Sequence, residues 1–176
     1  MKTPKDFSHL EGLEFIHGKQ DCYTMLQVMY KTYADIELTN YARPNDWWLS
    51  GKSLYADNFM KEGFEKLDDN MKMSDFNFLD VFLIALPDNR MAHSKSMPPN
   101  HCAIYIGDGK IIHHRLGKRS QIKPYQGMLY NFTTHVIRHK DVKLFKPVTQ
   151  RIDLMDHILP HKRAELQEAL RNESSE

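Results

Sequence analysis

Two cysteines and ten histidines are the chain's candidates for nucleophilic or metal chemistry. Cys22 follows Asp21 at the start of an expected helix. Free N–H groups and partial positive charge at a helix N-terminus favour thiolate over thiol. The same N–H groups can hold an oxyanion. Position alone also suits a small buried apolar residue, so Cys22 needs partners to count as a nucleophile. A thiolate needs a base within hydrogen-bond reach, and the base needs a group that orients it. His101 opens an apolar strand, HCAIYIG. Asp108-Gly109 is a hairpin turn signal, and KIIHH returns, bringing His113 or His114 beside His101. Successive strand residues point to opposite faces, so only one of those two can serve. With His101 facing the helix, the same alternation places Cys102 on the far face, as a core residue unable to bond to Cys22. His9, His17, His93, His135, His139, His157 and His161 have no comparable placement and read as solvated or supporting.

Other chemistry finds less support. His93, His101, His113 and His114 offer imidazoles, but no HxxxH, HExxH or CxxC pair fixes a zinc geometry, so no metal or cofactor is expected. The charge is nearly balanced, 24 basic against 23 acidic residues, which gives no case for a nucleic-acid partner. Two cysteines do not make a secreted disulfide framework. The apolar run Val81 to Leu86 is far short of the ~20 residues of a membrane span, so no membrane insertion is expected. The opening MKTPKDFSHLEG lacks the apolar stretch of a signal peptide, which implies synthesis and folding in a cytoplasm.

The elements that must position these residues can be read from periodicity. Cys22, Met25, Leu26, Met29 and Tyr33 fall at helical spacing, and Asp21 stands as the N-cap. Residues 39–52 read as an ordered loop holding Trp47 and Trp48. A short helix is predicted over Ser53 to Glu62, stopped at Gly63, with irregular polar chain over 66–77. Strands are predicted at Phe78–Leu86, His101–Gly107 and Lys110–His114, near Ser120, and at His135–His139 and Val142–Phe145. After Pro160 the chain reads as an exposed helix. Helices followed by a meander of short strands argue α+β with an antiparallel sheet, divided into a domain over 1–147 and a helical tail over 148–176.

The hairpin HCAIYIGDGKIIHH resembles the His-bearing hairpin of the NlpC cell-wall hydrolase family, roughly HVGIYIGDGxFIHA. The family's two histidines fall on His101 and His113, and its DCSG motif falls on Asp21-Cys22-Tyr23-Thr24. A second segment is similar to RPxDWWxxGxxLYxxxFxxxGF, as found in tail-tip peptidase domains of long-tailed phages, the lambda-type tail protein K kind. Here it reads Arg43-Pro44, Asp46-Trp47-Trp48, Gly51, Leu54-Tyr55, Phe59 and Gly63-Phe64.

The resemblance implies a papain-like NlpC fold, with N-terminal helices packed on a central antiparallel sheet of about five to six strands. It implies Cys22 as nucleophile, His101 as base and His113 as its orienting group. The implied substrate is the peptidoglycan stem peptide, cut between D-glutamate and a diamino acid. The implied setting is a virion tail, acting at the host wall or periplasm during entry beside other tail-tip proteins. A structural or assembly role with a vestigial site is the alternative. Asp21, Tyr23, Arg43 and Trp47 are the candidate substrate contacts. Asp21 also suits helix capping, Arg43 a surface ion pair and Trp47 core packing. Tyr23 stands where many members carry a Ser that helps bind the free amine of the stem peptide.

Overall fold

A computed structural model describes residues 6–87 and 97–143. Its main helix, α1, runs Cys22–Ala34. The Asp21 carboxylate caps it by accepting the Thr24 N–H at 2.9 Å, which satisfies one of the free donors of the first turn. Met25, Leu26, Met29 and Tyr30 form its buried face, and Asp35 in the left-handed region (φ 54°) ends it.

Six strands form one antiparallel sheet: β1 (Phe64–Lys66), β2 (Val81–Ile84), β3 (His101–Gly107), β4 (Lys110–His113), β5 (Gln121–Pro124) and β6 (Thr133–His139). Their order is β1-β6-β2-β3-β4-β5, so β2 to β5 form a meander while β6 returns to the other side of β2. A short helix, α2 (Met128–Asn131), precedes β6. Every residue of β2 is buried, as a strand covered on both faces requires. The helix side of the sheet holds Val81, Leu83, Cys102, Ile104 and Ile112 with Met25, Leu26 and Met29. The other side holds Phe82, Ala103, Tyr105, Ile111 and Tyr125. There Phe76 sets its ring edge on Phe82 at 5.0 Å.

The α+β class and antiparallel sheet agree with the pattern of the sequence; several elements differ. The strand predicted over Phe78–Leu86 is confined to Val81–Ile84. Leu79 takes a positive φ of 72°, and the Asp80 carboxylate accepts the Asn77 N–H at 2.7 Å, so a turn replaces the strand's first residues. Ser53 to Glu62 forms consecutive hydrogen-bonded turns instead of a regular helix. β1 was hidden in sequence because three residues are too few to show a period. It forms because β6 offers an edge, pairing Phe64 with His139. Val142 and Lys143 are not strand, and residues 144–145 lie outside the described residues, as does the tail expected over 148–176.

The faces of β3 are also reversed. Alternation holds, but Cys102 packs toward α1, while His101 shares its face with Ala103 and Tyr105. The strand is apolar on both sides, so its sequence carries no cue to which face meets the helix. His101 nevertheless reaches Cys22. It is the first residue of β3, at the sheet end where α1 begins, and both residues line one cleft.

Candidate active site

Three elements bring the reactive groups together. α1 places Cys22 at its first residue, where the helix N-terminus favours thiolate. The β3–β4 hairpin pairs Ala103 with His113, which sets His101 diagonally across from His113. The His101 Nε2 then lies 3.1 Å from the His113 Nδ1, with ring centroids 5.3 Å apart. The turns after Ser53 carry Tyr55, whose Oη lies 3.0 Å from the Cys22 Sγ.

The electrostatics separate the two cysteines. The Cys22 thiol is held well below its usual range. The adjoining Cys102 side chain contributes most; burial opposes it, and the neighbouring His101 ring lowers it further. The Cys102 thiol is pushed well up, first by burial and then by the adjoining Cys22. Its Sγ donates to the Cys22 carbonyl oxygen at 3.3 Å. Burial, followed by the two nearby sulfurs, also pushes Tyr55 well up, so its hydroxyl stays protonated and remains a donor.

The histidine pair has a preferred direction of donation. Burial and the neighbouring His101 charge press His113 down to about 3, so it stays neutral at working pH. A neutral His113 with an unprotonated Nδ1 accepts from an N–H at the His101 Nε2. This leaves the proton of His113 on Nε2, a buried atom with no hydrogen-bond partner among the described residues. His114 is fully buried with its ring against the edge of Phe15 at 5.3 Å. Between the two adjacent histidines, His113 is therefore the one that meets His101.

The cleft above Cys22 has a volume of about 200 Å³, with Phe15, Trp47, Trp48, Leu86, Arg115 and Leu116 among its walls. Asp21 and Arg43 lie beneath it as a buried ion pair, Nε to Oδ2 at 2.9 Å, with side chains 3% and 4% exposed. Burial pushes the Asp21 carboxyl up, but donation from the Thr24 N–H, the Arg43 charge and the Gly18 N–H outweigh it, and the net shift is downward. Arg43 also donates to the Gly18 and Tyr41 carbonyls at 2.8 and 2.9 Å, and its guanidinium sits over the Tyr23 ring at 5.2 Å. The Tyr23 hydroxyl donates to the Thr39 carbonyl at 2.8 Å. Trp47 sets its ring edge on Tyr55 at 6.0 Å. No group of three or more His, Cys, Asp or Glu is placed to hold a metal among the described residues.

The NlpC/P60 family pattern matches residues 12–139, a span that includes Cys22, His101 and His113. The chain belongs to the NlpC/P60 family. It is similar to the tail tip assembly protein K of Escherichia phage lambda, 34% identical over 132 residues, covering 75% of this chain and 60% of that protein. It is also similar to the tail tip assembly protein K of Escherichia phage N15, 26% identical over 134 residues, covering 73% and 49%. The chain thus spans half to three fifths of the length of these relatives. No solved structure matches it significantly.

Within this NlpC/P60 chain, Cys22, His101 and His113 converge, while the expected substrate contacts divide. Trp47 reaches the cleft. Asp21 and Arg43 touch it but are committed to each other and to the α1 cap, and Tyr23 turns its hydroxyl away. Sequence reasoning gave Tyr55 no role, although Leu54-Tyr55 stands in the segment shared with phage tail-tip domains. A tyrosine in a turn has no periodicity that ties it to a cysteine far away in the chain. Only the fold shows the contact.

Proposed function

We propose that this chain is a phage tail-associated cysteine endopeptidase that cleaves peptidoglycan stem peptides and helps the tail pass the host wall. The observation that carries the reading is the joint placement of Cys22, Tyr55 and His101 at one cleft, with His113 bonded to His101 behind it. The tail-tip relatives support a virion-tail setting with other tail proteins as partners, and action at the host wall or periplasm is part of the proposal.

The chemistry follows from the geometry. The Cys22 thiolate attacks the scissile carbonyl, forming an S–C bond and moving charge onto the carbonyl oxygen. The Cys22 N–H and the Tyr55 hydroxyl are the donors at hand for that oxyanion. His101, carrying the thiol proton, gives it to the amine as the C–N bond breaks. His101 then takes a proton from water, the hydroxide attacks the thioester, and the carboxylate product leaves with Cys22 restored. His113 accepts from the distal nitrogen of His101 throughout and holds the ring in position.

Mass spectrometry of purified muropeptides incubated with the protein tests this. New amine and carboxyl termini are expected with the wild-type chain and none with Cys22→Ala. The relatives' name, tail tip assembly protein, supports a second reading, a tail component whose peptidase site is vestigial. Intact muropeptides together with stable copurification of tail proteins would favour it.

A further inference from the structure

The cleft holds two guanidinium groups in opposite states. Arg43 is buried and spends its donors on Asp21, Gly18, Tyr41, Asn40 and Thr24. Arg115 is half-buried just after β4 and lines the same cleft, and its guanidinium has no hydrogen bond or ion pair with the described residues. Asp21 is the only carboxylate lining the cleft among the described residues. It accepts from the Gly18 N–H, the Thr24 N–H and hydroxyl, and Arg43. Apart from Cys22 and His101, the described residues of the cleft therefore present one uncommitted positive charge and no uncommitted negative one. Tyr23 points its hydroxyl at the Thr39 carbonyl.

Building on the peptidase reading above, we propose that Arg115 forms a carboxylate subsite of this cleft, and that the described walls of the cleft offer no ammonium subsite. The substrate is then an acidic peptide with a free carboxylate beside its scissile bond, and a free α-amine is not required. A guanidinium matches a carboxylate through two parallel N–H···O bonds, which gives orientation as well as attraction. The apolar walls Phe15, Trp48 and Leu116 reduce the water around such a pair, which strengthens it. In a stem peptide the group that fits is the α-carboxylate of a γ-linked D-glutamate. An ammonium entering the same cleft would meet Asp21 already neutralised and Arg115 unscreened.

The test uses four γ-D-glutamyl peptides, with the α-carboxylate free or as primary amide and the N-terminus free or acetylated. For the wild-type chain, kcat/KM is expected to favour the free carboxylate by about 10- to 100-fold, mostly through KM, as for a hydrogen bond to a charged group. Acetylation is expected to change it by less than about 3-fold, as for a group left outside direct contact. Arg115→Gln should bring the carboxylate-to-amide ratio close to one, and Arg115→Lys should restore part of it. Calorimetric binding of the same peptides to full-length Cys22→Ala reads the subsite without turnover. A carboxylate preference that survives Arg115→Gln, no preference in the parent protein, or binding lost on acetylation would overturn the proposal. If no peptide is cleaved but the Arg115-dependent preference appears in binding, the peptidase reading falls and the subsite stands.

Discussion

Cys22 and Cys102 touch, yet the fold prepares them for opposite fates. Cys22 opens α1 beside a cleft, with the Tyr55 hydroxyl 3.0 Å from its sulfur and the Cys102 and His101 side chains adjoining it. Cys102 lies in the second position of β3, fully buried in the helix-side core, and acts as a donor to its neighbour. Cys22 is partly exposed to the cleft and Cys102 is fully buried, and burial alone raises any thiol. The difference lies in the neighbours: Tyr55 and His101 adjoin the Cys22 sulfur, whereas the Cys102 S–H turns to the Cys22 carbonyl. The contrast is a property of the helix end, the hairpin and the turns after Ser53 that supply those neighbours.

The largest effect expected from breaking this contrast is on the nucleophile itself. Cys22→Ala should lower kcat/KM on muropeptides by ~10⁴-fold or more, because no other group can form the acyl-enzyme. The corresponding signal is loss of products by mass spectrometry.

Removing one donor should be milder. Tyr55→Phe keeps the ring packed on Trp47 and deletes only the hydroxyl 3.0 Å from the sulfur. A drop in kcat of about 10²-fold is expected, the size seen for a single oxyanion donor, with KM little moved. The pH profile of Cys22 alkylation should shift upward with it. An unchanged alkylation profile would show that Tyr55 only fills space.

The histidine pair gives a stability signature. His113 lies at about 3 in the folded protein against 6.5 for the free side chain. Between those values the unfolded chain binds the extra proton, so stability is complete above about pH 6.5 and falls as pH drops toward 3. The slope approaches about 1.4 kcal/mol per pH unit for this one group. Denaturant melts from pH 7 to pH 4 check it, and His113→Asn should flatten the curve over that window.

Cys102→Ala sharpens the comparison most finely. It removes the S–H group that donates to the Cys22 carbonyl and adjoins the Cys22 sulfur, and leaves Cys22 itself in place. A loss of about 2- to 10-fold is expected near neutral pH, as for one net hydrogen bond, recovering at higher pH where the Cys22 thiolate forms unaided.

Much of this arrangement was legible in the chain, and the reasons differ by element. The α1 stripe and the Asp108-Gly109 hairpin are local patterns, and they carry Cys22, His101 and His113 to their places. Between His113 and His114 the sequence left a choice, because alternation shows that they differ without saying which one faces His101. The same limit reversed the faces of β3, where Cys102 and Ala103 are both buried and neither side announces itself. Tyr55 and the Asp21–Arg43 pair depend on contacts between distant segments, which no period encodes. Arg43 illustrates the consequence. As a residue type it suits a substrate carboxylate, but the fold neutralises it on Asp21 and leaves Arg115 facing the cleft.

The most direct measurement is alkylation of the intact full-length protein by iodoacetamide from pH 4 to pH 9, with the modified cysteine mapped by mass spectrometry. The account predicts fast modification of Cys22 alone, with a rate that reaches its plateau well below the pH range of a free thiol, while Cys102 stays unmodified. Equal labelling of both cysteines, or a Cys22 rate that rises only in the range of an ordinary thiol, would contradict it.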